Sequence, residues 1–401
     1  AAEVTHQSTI AVLAFEDAGQ GSEEEEVGDS FAGELRSSLT RTAGLRVLGP
    51  ETSKALGIAG EGRLEMAREL LVTALLLGEV LLDDDRLRVR ARLVRVPDGK
   101  ELWSAEEERP VREAIGLQNR LIRQVVQTVA PGLDPDPVRG YRAEPEQCSA
   151  VYDIYLRGKQ LSKARRKTQA EQYQRGMQLL REAVTIDEQC ALAWEAIAIG
   201  ELDWTTPGFA RAGAAARRAL EINDALPEAW TVLGEIAEQE ERWDQSEKTF
   251  LSALYADPTN ARANFMYSEA LLARGRIRDA LHYVLEAYRY EPASSLVNFR
   301  VAMTALYAAE SDRVIKHVEI LRDMEGSMHP WWLDLMAEAY LQKGETEAAL
   351  QTYAQISDRL APWFLDCVRA RENPALEAGV MEALRETLQE FKSGLLTETQ
   401  G

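Results

Sequence analysis

Residues 229–258 read AWTVLGEIAEQEERWDQSEKTFLSALYADP, and the spacing of large and small side chains in this stretch decides the fold of most of the chain. Gly234 lets two antiparallel helices approach closely, whereas Trp230 and Phe250 fill the space between them. Pro258 follows the second helix and starts the next unit. The stretch therefore predicts one hairpin of two amphipathic helices.

The same pattern recurs along the chain. The small residue of the second helix returns at spacings of 36, 34 and 34 residues, at Ala183, Ala219, Ala253 and Ala287. A period near 34 is typical of tetratricopeptide (TPR) repeats, which the stretch resembles. We predict an all-α TPR superhelical solenoid of about six hairpins over 148–360, closed by capping helices over 361–401.

Arrays that resemble this one bind peptides or protein segments in a groove lined by the first helix of each pair. The spacing predicts an acidic front half of the groove, at Glu195, Thr231, Glu235 and Glu238. Farther along it predicts the partner-binding residues Phe265, Glu269, Phe299, Met303, Tyr307 and Trp331. Aromatic residues and methionine suit an apolar or amphipathic segment. The alternative is that these side chains pack against neighbouring repeats or the terminal cap.

The first part of the chain has a different pattern. Apolar runs and turn residues predict a strand over 8–15, a helix over 24–42, a strand over 44–48, a helical stretch over about 50–70, three successive strands, and a helix over 112–130. This βαβαβββα order predicts an α+β domain with a mixed sheet over 1–132. A proline-bearing linker over 133–147 joins it to the repeats.

Several segments of this domain carry a second resemblance, STIAVLAFED (8–17) and LRVRARLVRVPDGKELWS (87–104) among them. Together with Gly78, they are similar to the TolB amino-terminal-type domain, although Ala14 stands where that family usually has proline and Leu71 where it usually has glycine. That domain precedes TPR repeats in many bacterial signalling proteins. The resemblance implies relatives that carry a nucleotide cyclase or, as in CadC-like proteins, a winged-helix DNA-binding domain, often with a membrane span between.

Arginine alternates with apolar residues in RLRVRARLVR (86–95), which predicts a strand with one core face and one cationic face. The cationic face is a secondary candidate patch, formed by Arg86, Arg88, Arg90 and Arg92. Cross-strand carboxylates such as Glu79 and Glu107 would neutralise it. The alternative is an anionic partner docked on the sheet.

A basic run, RGKQLSKARRK (157–167), lies in the first repeat. Lysine and arginine favour a helix C-terminus, so we expect a solvated junction between two helices, with a patch for an anionic partner as the alternative.

Four consecutive glutamates, Glu23 to Glu26, begin the first helix of the chain. Carboxylates at that position interact with the helix dipole and exclude a phosphate. The sequence contains neither GxGxxG nor GxxxxGK[ST]. A small-ligand or nucleotide-binding enzyme is therefore the least favoured class.

Composition restricts the partners. The 401 residues carry a formal net charge of −20, which disfavours nucleic acid and anionic membranes. The four histidines and three cysteines show no metal-ligand spacing, so we expect neither a metal nor a cofactor. Cys148 and Cys190 occupy equivalent positions of adjacent units, but neighbouring helix axes lie about 8–10 Å apart. A disulfide needs Cα atoms within about 7 Å, so reduced thiols are expected.

Taken together, these features predict a non-catalytic interaction or sensory module of a bacterial signalling protein that binds a protein or peptide segment in the groove. The alternative is a periplasmic scaffold for envelope assembly. The chain begins at Ala1, which indicates a processed end or a segment of a longer protein. A membrane attachment would come only from an upstream segment. The resemblance to the TolB amino-terminal-type domain favours an extracytoplasmic location over a cytoplasmic one.

Overall fold

The computed structural model describes residues 8–18, 27–42, 44–83, 85–131, 133, 148–163, 168–202 and 205–355. The chain divides into two compact units, Ala1–Val297 and Asn298–Gly401. The capping helices expected over 361–401 lie outside the described residues, as does all but one residue of the expected linker.

The first unit begins with strands and helices in alternation. Their order is β1 (Ser8–Val12), β2 (Glu16–Asp17), α1 (Gly28–Thr40), β3 (Leu45–Val47), α2 (Pro50–Ile58), α3 (Arg63–Glu69), β4 (Ala74–Asp83), β5 (Arg86–Arg95), β6 (Glu101–Pro110) and α4 (Ala114–Val129). Two details differ from the expected order. A short strand, β2, follows β1, and the helical stretch near 50–70 is divided into α2 and α3 by a turn at Gly60, which has a positive φ of 53°.

The strands form one mixed sheet in the order β3-β1-β4-β5-β6, with β2 paired to β4. Strand β1 is parallel to β3 and β4, whereas β4, β5 and β6 are antiparallel. The mixed sheet expected at the amino-terminal end is therefore confirmed.

Helices cover the two faces of this sheet unequally. Helices α1 and α4 pack on the face that carries Ile10, Val12 and Leu93. Helices α2 and α3 pack on the opposite face against Ala11 and Leu13. Because this second layer lies over β3, β1 and part of β4, the outward side chains of β5 remain exposed.

Twelve helices follow among the described residues, as six consecutive pairs. They are α5 (Tyr152–Ser162) with α6 (Ala170–Ile186), α7 (Ala191–Glu201) with α8 (Thr206–Ile222), α9 (Pro227–Gln239) with α10 (Trp243–Ala256), α11 (Ala261–Ala273) with α12 (Ile277–Tyr290), α13 (Ser295–Tyr307) with α14 (Ser311–Glu325), and α15 (Pro330–Lys343) with α16 (Thr346–Tyr353). In the first unit the first helices α5, α7, α9 and α11 also contact one another in succession. The chain is thus mostly helical, with the paired-helix arrangement of TPR repeats.

The packing of α9 against α10 explains the spacing of large and small side chains in residues 229–258. Phe250 on α10 is fully buried against α9, and a Cβ atom at Gly234 would lie only 2.7 Å from its ring. Glycine is required there because the two helices approach too closely for any larger residue.

One hydrophobic core runs from the sheet into the repeats. It contains side chains of α1 and α4, then Tyr152 and Tyr155 of α5, and continues to Ile236 of α9. The α/β domain and the first repeats are therefore packed as one body in the first unit.

Candidate interaction surfaces

The α/β domain docks on the first repeat through charged side chains. The hydroxyl of Tyr155 donates to Glu34 at 2.6 Å, and the ammonium of Lys159 also binds that carboxylate. Lys163 pairs with Asp29 at 2.6 Å. Burial is the largest single influence and opposes ionisation of Glu34, but the charge of Lys159 and the hydrogen bonds from Lys159 and Tyr155 together outweigh it, so the pKa of Glu34 lies below its ordinary value.

This docking corrects the expectation for the basic run. Lys159, on α5, is half-buried against Glu34 of α1, and Lys163, just beyond α5, pairs with Asp29 of α1 while it stays exposed. Residues 164–167 of the run lie outside the described residues. The sequence motif could not show this role, because the partner carboxylates lie more than 100 residues earlier in the chain.

A second docking site joins the α/β domain to the end of α12. The carboxylate of Glu291 accepts hydrogen bonds from the N–H groups of Glu51 and Thr52 at the start of α2. The N–H of Gly49 donates to the carbonyl of Tyr290 at 2.8 Å. The guanidinium of Arg46 donates to the carbonyl of Arg289. The domain thus contacts the first and the fourth helix pair.

The sequence predicts an open acidic groove along the first helix of each pair. The structure of the first unit differs from this prediction. Glu195, Thr231 and Glu235 are buried, and Glu238 is half-buried. Glu195 accepts from the N–H of Ala229 at 3.2 Å, and Glu235 pairs with Arg262. Burial, and then the carboxylate of Glu228, raise the pKa of Glu195 to about 7.

The six predicted partner-binding residues belong to different units. Phe265 and Glu269 lie on α11 of the first unit and are half-buried. The other four lie in the second unit: Phe299, Met303 and Tyr307 on α13 and Trp331 on α15.

The three α13 residues share one helix face, because they are four residues apart. Phe299 and Met303 are half-buried, and Tyr307 is 58% exposed. Trp331, at the start of α15, is 68% exposed. We call Phe299, Met303 and Tyr307 the α13 stripe.

Trp331 is not a neighbour of Tyr307, the last residue of the α13 stripe. Gln342, near the end of α15, donates to the carbonyl of Leu306 at 3.1 Å, so α13 and α15 meet at their C-terminal ends. Trp331 lies eleven residues before Gln342, or roughly 16 Å along the helix. Trp331 therefore lies away from Tyr307, in the second unit.

The arginine face of β5 is exposed, and three of its four arginines are paired. Arg86 and Arg88 bind Glu108, and Arg90 binds Glu79 and Glu106. Glu107 was expected here and that detail is wrong. It lies opposite Val89 on the other face of the sheet, where it pairs with Arg120 of α4.

Cys148 and Cys190 form a disulfide, so the expectation of reduced thiols is wrong. Their Cα atoms are 4.6 Å apart. The helix-axis argument failed because both cysteines precede their helices, Cys148 before the short turn that leads into α5 and Cys190 as the N-cap of α7. Chain segments entering adjacent helices approach more closely than the axes do.

The side chain of Asp17 caps the N-terminus of α1. Its carboxylate accepts from the N–H groups of Val27 and Gly28 at 2.8 and 3.0 Å. Glu23 to Glu26, which were expected to serve this helix, lie outside the described residues. The sequence signal for Asp17 was weak, because it lies ten residues before the helix.

Within the described ranges, no three His, Cys, Asp or Glu side chains converge as a metal site. Within the same ranges, no helix combines the length and apolar character needed to cross a membrane.

No family model matches the chain. A curated protein of Rhizobium meliloti (strain 1021), named "Putative adenylate cyclase 3", is 23% identical over 152 residues, which cover 38% of this chain and 26% of that protein. The matched part thus spans about a quarter of that relative.

Among solved structures, similarity extends to PilW, described as a widely conserved type IV pilus biogenesis factor, with 20% identity and a TM-score of 0.42 over 51% of this chain and 92% of that one. It extends also to YrrB, described as a TPR protein with an unusual peptide-binding site, with 19% identity and a TM-score of 0.39 over 45% of this chain and 95% of that one. PilF of Pseudomonas aeruginosa shows 20% identity and a TM-score of 0.39 over 52% and 98%.

Proposed function

We propose that this chain is a non-catalytic interaction scaffold whose α13 stripe binds an apolar or amphipathic segment of a partner protein. The observation that carries the proposal is the exposure of large apolar side chains on one face of α13. Tyr307 is 58% exposed and continues the apolar face of Phe299 and Met303. Aromatic and methionine side chains bind apolar segments with little dependence on exact shape.

The burial of Glu195 and Glu235 in the first unit supports assigning partner binding to the second unit. Phe265 and Glu269 on α11 of the first unit are a separate candidate, because both are half-buried and so partly accessible.

We also propose that the scaffold belongs to a bacterial signalling protein and that its α/β domain is of the TolB amino-terminal type. The segments quoted from residues 8–17 and 87–104 support this, as does the partial similarity to a protein named as an adenylate cyclase. The packing of Phe15 also explains Gly78, since a Cβ atom there would lie 2.3 Å from the Phe15 ring.

The second candidate is a periplasmic scaffold for envelope assembly. The disulfide between Cys148 and Cys190 favours it, because such bonds persist mainly in oxidising compartments. Sequencing the native gene upstream of Ala1 separates the two. A cyclase or DNA-binding domain supports signalling, whereas a signal peptide alone supports assembly.

The α13 stripe is tested by selecting binders from a phage-displayed random peptide library and measuring their affinity for three variants. We expect selected peptides to be apolar or amphipathic and to lose binding to Phe299→Glu and Tyr307→Glu. The matched control is Tyr255→Glu on α10, since Tyr255 is 92% exposed and lies in the first unit. Equal loss in Tyr255→Glu and Tyr307→Glu, or selection of peptides insensitive to both, contradicts the proposal.

A further inference from the structure

The exposed part of the β5 face ends in a cleft of about 650 Å³. One wall is α2, with Ser53, Lys54 and Ile58. The floor is formed by the outward side chains of the sheet, among them Leu77 and Arg92. The cleft exists because α2 and α3 cover only the β3–β1 side of this face. Its volume is that of a typical small-molecule site.

The cross-strand register singles out Arg92 among the four arginines. Arg90 lies between Glu79 on β4 and Glu106 on β6 and binds both. Arg92 lies between Leu77 and Ser104, neither of which carries a charge. Within the described part of the chain, Arg92 makes no ion pair. Its guanidinium is therefore left without an anion at the floor of the cleft.

The wall adds a second cation and an apolar surface. Lys54 is exposed on α2 and likewise makes no ion pair with any described residue. Ile58, one turn later on the same helix, is 77% exposed. Arg63 shapes this wall instead of adding a free charge, because its guanidinium donates to the carbonyls of Leu56 and Gly57 at 3.0 Å.

The remaining charges limit what can bind. Four carboxylates also line the cleft, at Glu16, Glu79, Glu101 and Glu106. They balance the four basic side chains of the lining, so a polyanion such as a nucleoside triphosphate would meet repulsion. A single negative charge meets less of this repulsion, and a planar carboxylate matches the paired N–H groups of a guanidinium.

We propose that this cleft binds a small aliphatic monocarboxylate, with its carboxylate on Arg92 and Lys54 and its hydrocarbon chain against Leu77 and Ile58. The site lies wholly in the α/β domain, so it stands or falls independently of partner binding at the α13 stripe. It gives the domain a ligand-sensing role distinct from the docking contacts with the repeats.

The test is ligand-observed NMR on the full chain with straight-chain carboxylates from acetate to octanoate. We expect hexanoate to bind with a dissociation constant of about 1 mM or tighter, and more tightly than acetate. Hexanamide has the same chain without the charge, and we expect it to bind at least tenfold more weakly, roughly the loss of one charge-assisted hydrogen bond.

Variants locate the site. We expect Arg92→Gln to weaken hexanoate binding about tenfold or more. Arg88→Gln is the matched control, because Arg88 lies on the same strand face but is paired with Glu108 at 2.8 Å. For the apolar wall, Ile58→Ser is expected to remove the preference for hexanoate over acetate. Ile186→Ser, at an isoleucine of α6 that is also exposed, is expected to leave this preference intact.

Three results would overturn the proposal. One is no hexanoate binding at about 10 mM, a concentration well above the expected dissociation constant. Another is equal binding of hexanoate and hexanamide. The third is equal weakening by Arg92→Gln and Arg88→Gln, which would reduce the effect to the net charge of the surface.

Discussion

The carboxylate of Glu291, at the end of α12, accepts a hydrogen bond from the backbone N–H of Thr52 at 2.8 Å, at the start of α2. A helix begins with unpaired N–H groups and a partial positive charge, so it attracts an anion. Here the anion is Glu291, 239 positions after Thr52 and in the fourth helix pair. A Cβ atom at Gly49 would lie 2.1 Å from the same carboxylate, so glycine leaves the room for this contact.

Both sides of this contact are testable by urea unfolding. Glu291→Ala leaves two N–H groups without their charged acceptor, and we expect the free energy of unfolding to fall by about 2 kcal/mol. Gly49→Ala should destabilise by a similar amount because its methyl group displaces the carboxylate. In the Glu291→Ala background, Gly49→Ala should be close to neutral. Equal cost of Gly49→Ala in both backgrounds would show that the two residues do not interact.

The disulfide makes a second prediction. The bridged cysteines are 42 residues apart, so Cys148→Ser is expected to lower the free energy of unfolding by about 4 kcal/mol through the larger entropy of the unfolded chain. The control is a reductant, which should destabilise the wild type and leave Cys148→Ser unchanged. Peptide mapping without reductant should recover the peptides of Cys148 and Cys190 joined. Alkylation of both thiols in unreduced protein would contradict the bridge.

Because of Glu195, we expect the stability of the first unit to depend on pH. The Glu195 pKa of about 7 lies above the ordinary 4.5, mainly because of burial. The folded state therefore binds more protons than the unfolded state between these values, and stability falls as the pH rises through this window. Glu195→Gln removes the charge and keeps an oxygen for the Ala229 N–H.

We expect Glu195→Gln to be more stable than wild type by about 1–3 kcal/mol at pH 8 and to lose this advantage near pH 4.5. The control is Glu188→Gln, a substitution at an exposed carboxylate of the same repeat. A stability difference that is the same at both pH values would show that Glu195 ionises normally.

Because of His317, we expect the stability of the second unit to depend on pH in the opposite direction. The His317 ring lies 2.8 Å from the side-chain oxygen of Asn298, and burial lowers its pKa to about 4. Because the unfolded chain binds the proton more readily, stability is complete above about pH 6.5 and decreases as the pH falls toward 4, by about 3 kcal/mol.

Hydrogen exchange over residues 298–325 measures this effect at pH 7 and pH 5. We expect exchange, corrected for the intrinsic pH effect, to be faster at pH 5 in wild type, and to change much less in His317→Gln. His282→Gln, at an exposed histidine, should behave like wild type. An unchanged pH response in His317→Gln would assign the effect to another group.

Local periodicity was enough to predict the helix pairs and the mixed sheet. Gly234 and Phe250 lie sixteen residues apart in one hairpin, so their contact depends on chain that is close in sequence. The alternation of Arg86 to Arg92 with apolar residues is equally local, since successive side chains of a strand point to opposite faces.

The periodicity of the sequence did not identify which side chains pair across strands or between domains. Glu107 was expected beside the arginines, but the register places Glu106 and Glu108 there, and a shift of one residue reverses the face. Of the acidic residues expected to line an open groove, Glu195 and Glu235 are buried, because residues of the neighbouring repeats, Ala229 and Arg262, bind them.

The sequence by itself determined which segments become helices and strands, because those preferences depend on residues within one or two turns of each other. The tertiary structure decided that Lys159 binds Glu34, that Cys148 meets Cys190, that Glu291 caps α2, and that Arg92 alone of its strand lacks a described carboxylate. These contacts join residues distant in the chain. Their pairing follows from strand register and from the docking of one shared core, which no local pattern encodes.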